Sequence, residues 1–477
     1  MSESIDSTSA TKTVVVIGSG ISGLITAYKL QQRSIQVHLL ERSDHVGGVM
    51  RTTVENGFLT EWGPNSFRSN DEIDDLIKEV GLEEQRVEAD PSAPRFIFHH
   101  GELKAFPMGI GGFLSTSLLT IGGKLRLLIE PFIRKRRETG EESVGSFVAR
   151  RLGRQIEQTF VSPFVSGIYA GDSNKLSVNA TFPTLVEFEE LGGSIVIGAI
   201  KSMRKRKAQS PPKKRPRRKP TLVSFKKGIE SFPLAIAEQL SNIFTGCTDI
   251  RIEKKGDSQP QRYAVRYKHQ ESDSSIDCDA VIVATPAFAA ADIVRGLSGD
   301  AAEALTAIPY PPVVVVAAAF AKDQVSRSLD GFGFLIPRTE GLRMLGCVWS
   351  SSLFPYRAPD GHYLMTIFLG GATDPGIIDL SDDEIKTIVS AELKKTLTTE
   401  NDPQIVQIFR HRRAIPQYTI GHLDRVSLIE KTEHNVPGLF FVGNYLEGVS
   451  AGDCAKLATR VAKNVYQFVG PTEDEEN

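Results

Sequence analysis

A short β-branched run followed at once by three spaced glycines constrains this chain more than any other feature. Thr13–Ile17 (TVVVI) suits a strand buried on both faces, and it leads into Gly18-Ser19-Gly20-Ile21-Ser22-Gly23. Leu24, Ala27, Tyr28 and Leu30 follow at helical spacing, and Val37–Glu41 resumes as a second strand. Glu41 lies 23 residues after Gly18, the separation expected of a β-α-β unit that binds a dinucleotide. In such a unit Gly18 permits the tight turn, Gly20 lets backbone approach a pyrophosphate, and Gly23 lets the helix pack on the strand. The helix start, with Ser19, Ile21 and Ser22, offers free N–H groups to phosphate. Glu41 can accept hydrogen bonds from both ribose hydroxyls, and its charge repels a 2′-phosphate.

The next segment separates a nicotinamide from a flavin. Arg42 is followed by Val46-Gly47-Gly48-Val49 and Arg51, and Gly57-Phe58 leads to Glu61-Trp62-Gly63-Pro64-Asn65-Ser66. A nicotinamide domain needs no such extension, whereas a flavin ring lies further out and requires close backbone. Near the C-terminus Gly438–Val449 (GLFFVGNYLEGV) continues into Ser450-Ala451-Gly452-Asp453-Cys454. These segments resemble the "GG" flavoproteins, which include amine oxidases, phytoene desaturases and protoporphyrinogen oxidases. The resemblance implies FAD, with Gly443, Asn444, Val449, Ser450 and Ala451 as a second set of flavin contacts.

The 477 residues exceed one simple core and suit about three domains at roughly 150 residues each. Later strand candidates are Ala280–Ala284, Val313–Phe320, Gly333–Ile336, Tyr363–Leu369 and Leu439–Gly443, while Leu118–Gly198 reads as helical. The expected fold is α/β: a discontinuous Rossmann-like FAD-binding domain, a mixed α/β substrate domain and a helical insertion, like the amine oxidases and p-hydroxybenzoate hydroxylase. The FAD domain is expected over 1–70, 221–295 and 415–477, the substrate domain over 71–95 and 296–414, and the helical part over 96–210.

Charge adds one asymmetry. Arg204–Pro220 holds ten basic residues, four prolines and no acid, leaving 46 Lys and Arg against 58 Asp and Glu elsewhere. Proline stops helices, so this tract is expected to form an exposed loop at 204–220. It has no interleaved aromatics to stack bases, and no nucleic-acid partner is expected. Pro471–Asn477 reads as a solvated acidic tail. Four scattered cysteines without CxxC exclude a disulfide framework and give no metal-ligand spacing. No apolar run approaches the length of a membrane span, and Met1–Thr13 has no signal-like apolar region. The expected location is a reducing cytoplasm.

Longer motifs narrow the resemblance. Gly63–Phe67 (GPNSF), Pro163–Asp172 (PFVSGIYAGD), Leu176-Ser177, Gly331–Pro337 (GFGFLIP) and the closing Gly443–Cys454 (GNYLEGVSAGDC) are similar to the porphyrinogen oxidases of haem biosynthesis, over nearly the whole chain. That resemblance implies six-electron oxidation of protoporphyrinogen IX or coproporphyrinogen III, with dioxygen as acceptor and hydrogen peroxide released. It implies that the flavin does the chemistry, and the sequence nominates no general base. Residue by residue, it implies that Arg95 meets a propionate, that Leu335 and Val348 clamp one face of the macrocycle, and that Phe368 stacks opposite. Gly167 and Gly171 match glycines near the reacting carbon, and Asp249 matches a backbone contact to adenine. Lys104 and Arg343 are further cations for a substrate with four carboxylates. One departure stands out: Ser224–Gly228 (SFKKG) has a lysine where the family often has a second glycine.

The resemblance also suggests a pathway neighbour of ferrochelatase type. It leaves open a peripheral contact with the inner face of the cell membrane through Phe106–Met108 and Phe113–Ile121. Two rival readings are a flavin amine oxidase of the same fold and a non-catalytic FAD- or porphyrin-binding protein. Against the first, GNYLEGVS lacks the aromatic pair that cages an amine. Against the second stand two complete flavin segments.

Overall fold

A computed structural model of the chain describes residues 12–136, 140–209, 220–256 and 261–470. The acidic tail and the proline-rich part of the basic tract lie outside these residues. Five parallel strands form the first sheet, in the spatial order Ile243–Phe244, Gln36–Leu40, Thr13–Ile17, Ala280–Val283, Leu439–Phe441. Their near-continuous apolar runs have a simple cause, since both faces are covered. Val14, Val16, Val37 and Leu39 pack against helices Ile21–Gln31 and Ala451–Val469. Val15, Ile17, Val281 and Val283 pack beneath an antiparallel three-stranded sheet and helices Ala287–Val294 and Gly299–Thr306.

A seven-stranded sheet forms the second layer, in the order Gln404–His411, Val313–Ala321, His362–Gly370, Met344–Val348, Gly333–Leu335, Arg95–His99, Glu102–Ala105. One face is core: Phe98, Val314, Val316, Phe334, Cys347, Ile367 and Leu369 bury against helix Asp382–Leu397. Ser381 and Glu384 cap that helix reciprocally, which fixes where it starts. Side chains alternate along a strand, so Arg95, Leu335, Val348 and Phe368 belong to the other face.

Short helices between Gly109 and Gln209 form a third layer around Leu118, Phe147, Ile156, Phe160 and Val165. At its centre Arg151 and Glu130 make a fully buried ion pair, closed by Ser194 Oγ–H and the Ile195 N–H donating to the carboxylate at 2.5 and 2.9 Å.

Packing differs from the linear reading in several places. Helix Asp71–Glu79 buries Ile73, Leu76 and Ile77 in the core of the parallel sheet, not with the substrate sheet. Ala301, Ala302 and Leu305 also join the parallel-sheet core. The hairpin Arg95–Ala105 extends the seven-stranded sheet instead of opening the helical layer. An amphipathic segment can bury its apolar face against either sheet, and chain order does not choose between them. The tract at 204–209 is helical, completing Ile195–Gln209, so the loop expected from Arg204 starts too early. The helix runs on through the start of the basic run, as far as the described residues reach.

Candidate active site

The glycine segment takes its shape from steric demands that can be read one at a time. Gly18 has φ +105, and a Cβ on Gly23 would lie 2.0 Å from the Gly18 carbonyl oxygen. Gly20 differs: a Cβ there would meet nothing within 4 Å, while one on Gly48 would face the Gly20 Cα at 3.5 Å. Gly20 precedes helix Ile21–Gln31 with no side-chain cap, which leaves the first N–H groups free. Gly47 N–H donates to the Ser19 carbonyl at 2.9 Å and holds the second glycine pair beside the first.

Glu41 sits at the rim of this opening. Ser19 N–H and O–H donate to its Oε2 at 2.8 and 2.6 Å, and Ser43 N–H and O–H donate to its Oε1, both at 2.8 Å. Burial works to raise its pKa, but these four donors outweigh it and hold the carboxyl below its ordinary value. Helix Ala451–Val469 starts alongside, with Ser450 as N-cap accepting from the Asp453 N–H at 3.1 Å. Cys454 on that helix lies beside Ser22 on the first, so the two helix starts lie together. An open glycine cradle, adjacent helix ends and a fixed carboxylate fit a dinucleotide with two phosphates.

The flavin-side segment ends in a buried polar hub. Arg357, 2% exposed, donates to Glu61 Oε1 at 3.0 Å, to Asn65 Oδ1 at 2.6 Å, to the Asn65 carbonyl at 2.5 Å and to Ser224 Oγ at 2.9 Å. Glu61, 1% exposed, also accepts from Thr52 O–H at 2.6 Å and Ile229 N–H at 3.0 Å. Ser350 and Thr366 donate to Asn65 Oδ1, each at 3.1 Å. With its oxygen taken, the buried Asn65 amide nitrogen is left without a hydrogen-bond partner. Such a donor suits a cofactor or substrate oxygen.

Register assembles the residues expected to meet the substrate. Gly333 pairs with both Arg95 and Val348, and Gly346 pairs with both Leu335 and Phe368. Arg95, Leu335, Val348 and Phe368 thus share one sheet face. Arg95 is exposed, its guanidinium stacks over Phe332 at 5.0 Å, and it makes no ion pair among the described residues. Lys104 pairs with Ile97 in register and belongs to the same face. Trp62, from the flavin segment, and Phe368 both pack against the cluster of Ala170, Val313, Val315, Leu345 and Phe409. Helix Ser162–Tyr169 lies over Leu335, where a Cβ on Gly167 would come 2.4 Å from Leu335 Cδ2.

Other expected residues lie apart from this group. A Cβ on Gly171 would strike Gln417 Oε1 at 2.8 Å and Leu176, so glycine serves packing there and not clearance for a ring. Asp249 sits at φ +50 beside a break in strand register, exposed and paired with Lys268 at 3.3 Å. Two residues earlier, the Cys247 N–H donates to the Glu41 carbonyl at 2.8 Å. Arg343 is engaged by Asp374 through two 2.8 Å bonds and does not stand free as a cation. Arg42, Val49 and Lys227 are exposed, while Arg51 stacks on Trp62 at 4.2 Å. Glu61, Ser224, Ser350, Arg357 and Thr366 were not foreseen as a group. The one sequence signal was the pair of charged residues in otherwise apolar surroundings.

Comparisons with known proteins place this geometry. The family model for flavin-containing amine oxidoreductases matches residues 21–466. Protoporphyrinogen oxidase 1 of the chloroplast of Spinacia oleracea is 35% identical over 480 residues, covering 96% of this chain and 85% of its own. Coproporphyrinogen III oxidase of Bacillus subtilis (strain 168) is 30% identical over 461 residues, covering 93% of this chain and 95% of its own. A crystal structure from Exiguobacterium sp. 255-15 shares the fold, with TM-score 0.78 and 24% identity over 96% of this chain and 99% of its own. A family model spanning both flavin segments, with relatives matched along nearly their full length, leads to one conclusion: FAD is the cofactor, and the chain belongs to the flavin-containing amine oxidoreductase family.

Proposed function

We propose that the chain is an FAD-dependent porphyrinogen oxidase whose preferred substrate is protoporphyrinogen IX. One observation carries the reading: Arg95, Leu335, Val348 and Phe368 fall on one sheet face, beneath helix Ser162–Tyr169 and next to the flavin segment. When bound, FAD supplies hydride acceptance and passes the electrons to dioxygen. The protein's part is placement. Arg95, free of ion pairs among the described residues, offers a bidentate contact to a propionate. Leu335, Val348 and Phe368 supply a flat apolar wall, and Gly167 lets the helix close over it. The hub around Arg357 ties the flavin segment to strand His362–Gly370 through Thr366, so cofactor and wall keep one separation.

Two observations favour the substrate with two propionates. Arg343 is engaged by Asp374 and Lys104 faces Glu102, which leaves Arg95 as the cation of this group without an ion pair among the described residues. Identity to chloroplast protoporphyrinogen oxidases reaches 35–36%, against 30% for the coproporphyrinogen III oxidases of Bacillus subtilis and Staphylococcus aureus, while two other protoporphyrinogen oxidases also stand at 30%. The test is kcat/KM for both porphyrinogens in air, with porphyrin fluorescence and peroxide followed together. A clear preference for protoporphyrinogen IX is expected; a higher kcat/KM for coproporphyrinogen III would reverse the assignment.

We also propose that the helical layer rests on a lipid surface. Among the described residues no helix is long and apolar enough to cross a membrane. Met108, Ile121 and Phe132 are nonetheless 75%, 79% and 85% exposed, with Leu125 and Leu128 between them. Leu128 and the chain neighbours Gly109 and Pro131 line an apolar cavity of about 750 Å³ with Phe113, Phe160 and Phe164. Leu118 and Leu119, in the apolar run first expected to dock, are instead buried. Co-sedimentation with anionic vesicles should fall several-fold in Ile121→Ser/Phe132→Ser; unchanged binding would rule this face out.

A further inference from the structure

The hairpin that carries Arg95 ends in an unusual turn. His100 and Gly101 connect strands Arg95–His99 and Glu102–Ala105, with φ of +51 and +82. Two-residue turns of this kind favour Asn-Gly, and histidine is among the few other residues that adopt the left-handed first position readily. The left-handed backbone at His100 has a spatial consequence. Successive strand residues point to opposite faces, yet the His99 and His100 rings lie side by side with centroids 4.0 Å apart.

Glu340 completes the group from the short turn Arg338–Glu340, just after strand Gly333–Leu335. Its Oε1 lies 3.1 Å from His99 Nδ1, and its Oε2 accepts the His100 backbone N–H at 3.1 Å. One donor atom from each of the three side chains lies within 4.8 Å of the others. The His99 and Glu340 side chains are 15% and 10% exposed, while His100 is exposed and leaves the outer side open.

We propose that His99, His100 and Glu340 bind a divalent transition metal of the zinc class. Two imidazoles and one carboxylate form a three-ligand set that zinc completes with water, whereas magnesium and calcium favour all-oxygen shells. Tetrahedral bonds of about 2.0–2.1 Å put ligand atoms roughly 3.3 Å apart, close to the His99–Glu340 separation. Rotation of the exposed His100 ring closes the third side. Lys104, whose charge acts on His99, faces Glu102 at 3.9 Å, and that acid offsets it. Residues 99 and 340 are far apart in the chain, so no sequence spacing could disclose the set.

The bound metal would act as a clip. It would tie the hairpin to the turn leaving the neighbouring strand, and those two paired strands carry Arg95 and Leu335. The site is separate from the redox chemistry and does not rest on the substrate assignment.

The test uses the full-length, FAD-loaded protein after chelator treatment, dialysed to equilibrium against Zn(II) with metal counted per chain. His100→Asn is the informative variant, because asparagine suits the turn and the fold is retained. Wild type should bind one zinc more per chain than His100→Asn and than Glu340→Gln, with the lost site weakened at least tenfold. Zinc should raise the melting temperature of wild type and leave that of His100→Asn unmoved. Magnesium should do neither. Equal zinc content in wild type and His100→Asn, or a wild type that takes up no zinc, would overturn the proposal.

Discussion

Single residues fall into two groups here: those that act through their own chemistry and those that act through distant partners. Arg95 belongs to the first. Arg95→Ala should raise KM for the porphyrinogen about tenfold or more and change kcat little, the signature of a lost binding contact; steady-state kinetics in air would show it, and a fall in kcat at constant KM would refute the propionate role. Arg357 belongs to the second. Its partners Glu61 and Asn65 lie 296 and 292 positions away, so nothing local revealed it. Truncating one side of a buried pair strands the other charge, at a cost of about 3–5 kcal/mol. Arg357→Met should therefore unfold at markedly lower denaturant and release its flavin more readily, whereas Glu41→Gln should weaken FAD with little change in unfolding. Equal behaviour of the two variants would contradict the hub.

Elements were legible wherever local chemistry decides them. Thr13–Ile17, the glycine turn and the following helix are set by burial and sterics within a few residues, and so could be read directly. Strand partners were not legible, because pairing Arg95–His99 with Gly333–Leu335 joins segments that the sequence separates by more than two hundred residues. The same holds for helix His422–Asn435, which braces the last strand of the parallel sheet. Its Glu433 accepts the Phe441 N–H at 2.7 Å, yet burial pushes the carboxyl up to about 7. The unfolded chain loses that proton near the ordinary value of about 4.3. Between these values the folded state holds the extra proton, so this group's contribution to stability falls as pH rises and is lost above pH 7. The linked change is about 4 kcal/mol. Glu433→Gln should match wild type near pH 4.5 and exceed it above pH 7 in denaturant melts; a constant difference across this range would exclude the linkage.

At the scale of the whole molecule, function depends on three layers meeting at one place. The parallel sheet presents the dinucleotide cradle at the carboxyl ends of its strands, the usual position for ligands in such sheets. The seven-stranded sheet presents its less packed face to that cradle, and the helical layer covers it through Ser162–Tyr169. The flavin segments were visible as motifs, but the convergence of Arg95, Leu335, Val348 and Phe368 with them depends on register and long-range packing. The resemblance to known oxidases named these residues, and the register places them on a common face. One measurement tests that convergence most directly: anaerobic mixing of the FAD-loaded protein with protoporphyrinogen IX, recording the flavin band, followed by admission of air. The expected result is rapid bleaching of the flavin, then its return with growth of porphyrin fluorescence and release of hydrogen peroxide. If protoporphyrinogen IX and coproporphyrinogen III both leave the flavin oxidised while a primary amine reduces it, the chain is an amine oxidase and the face around Arg95 is structural.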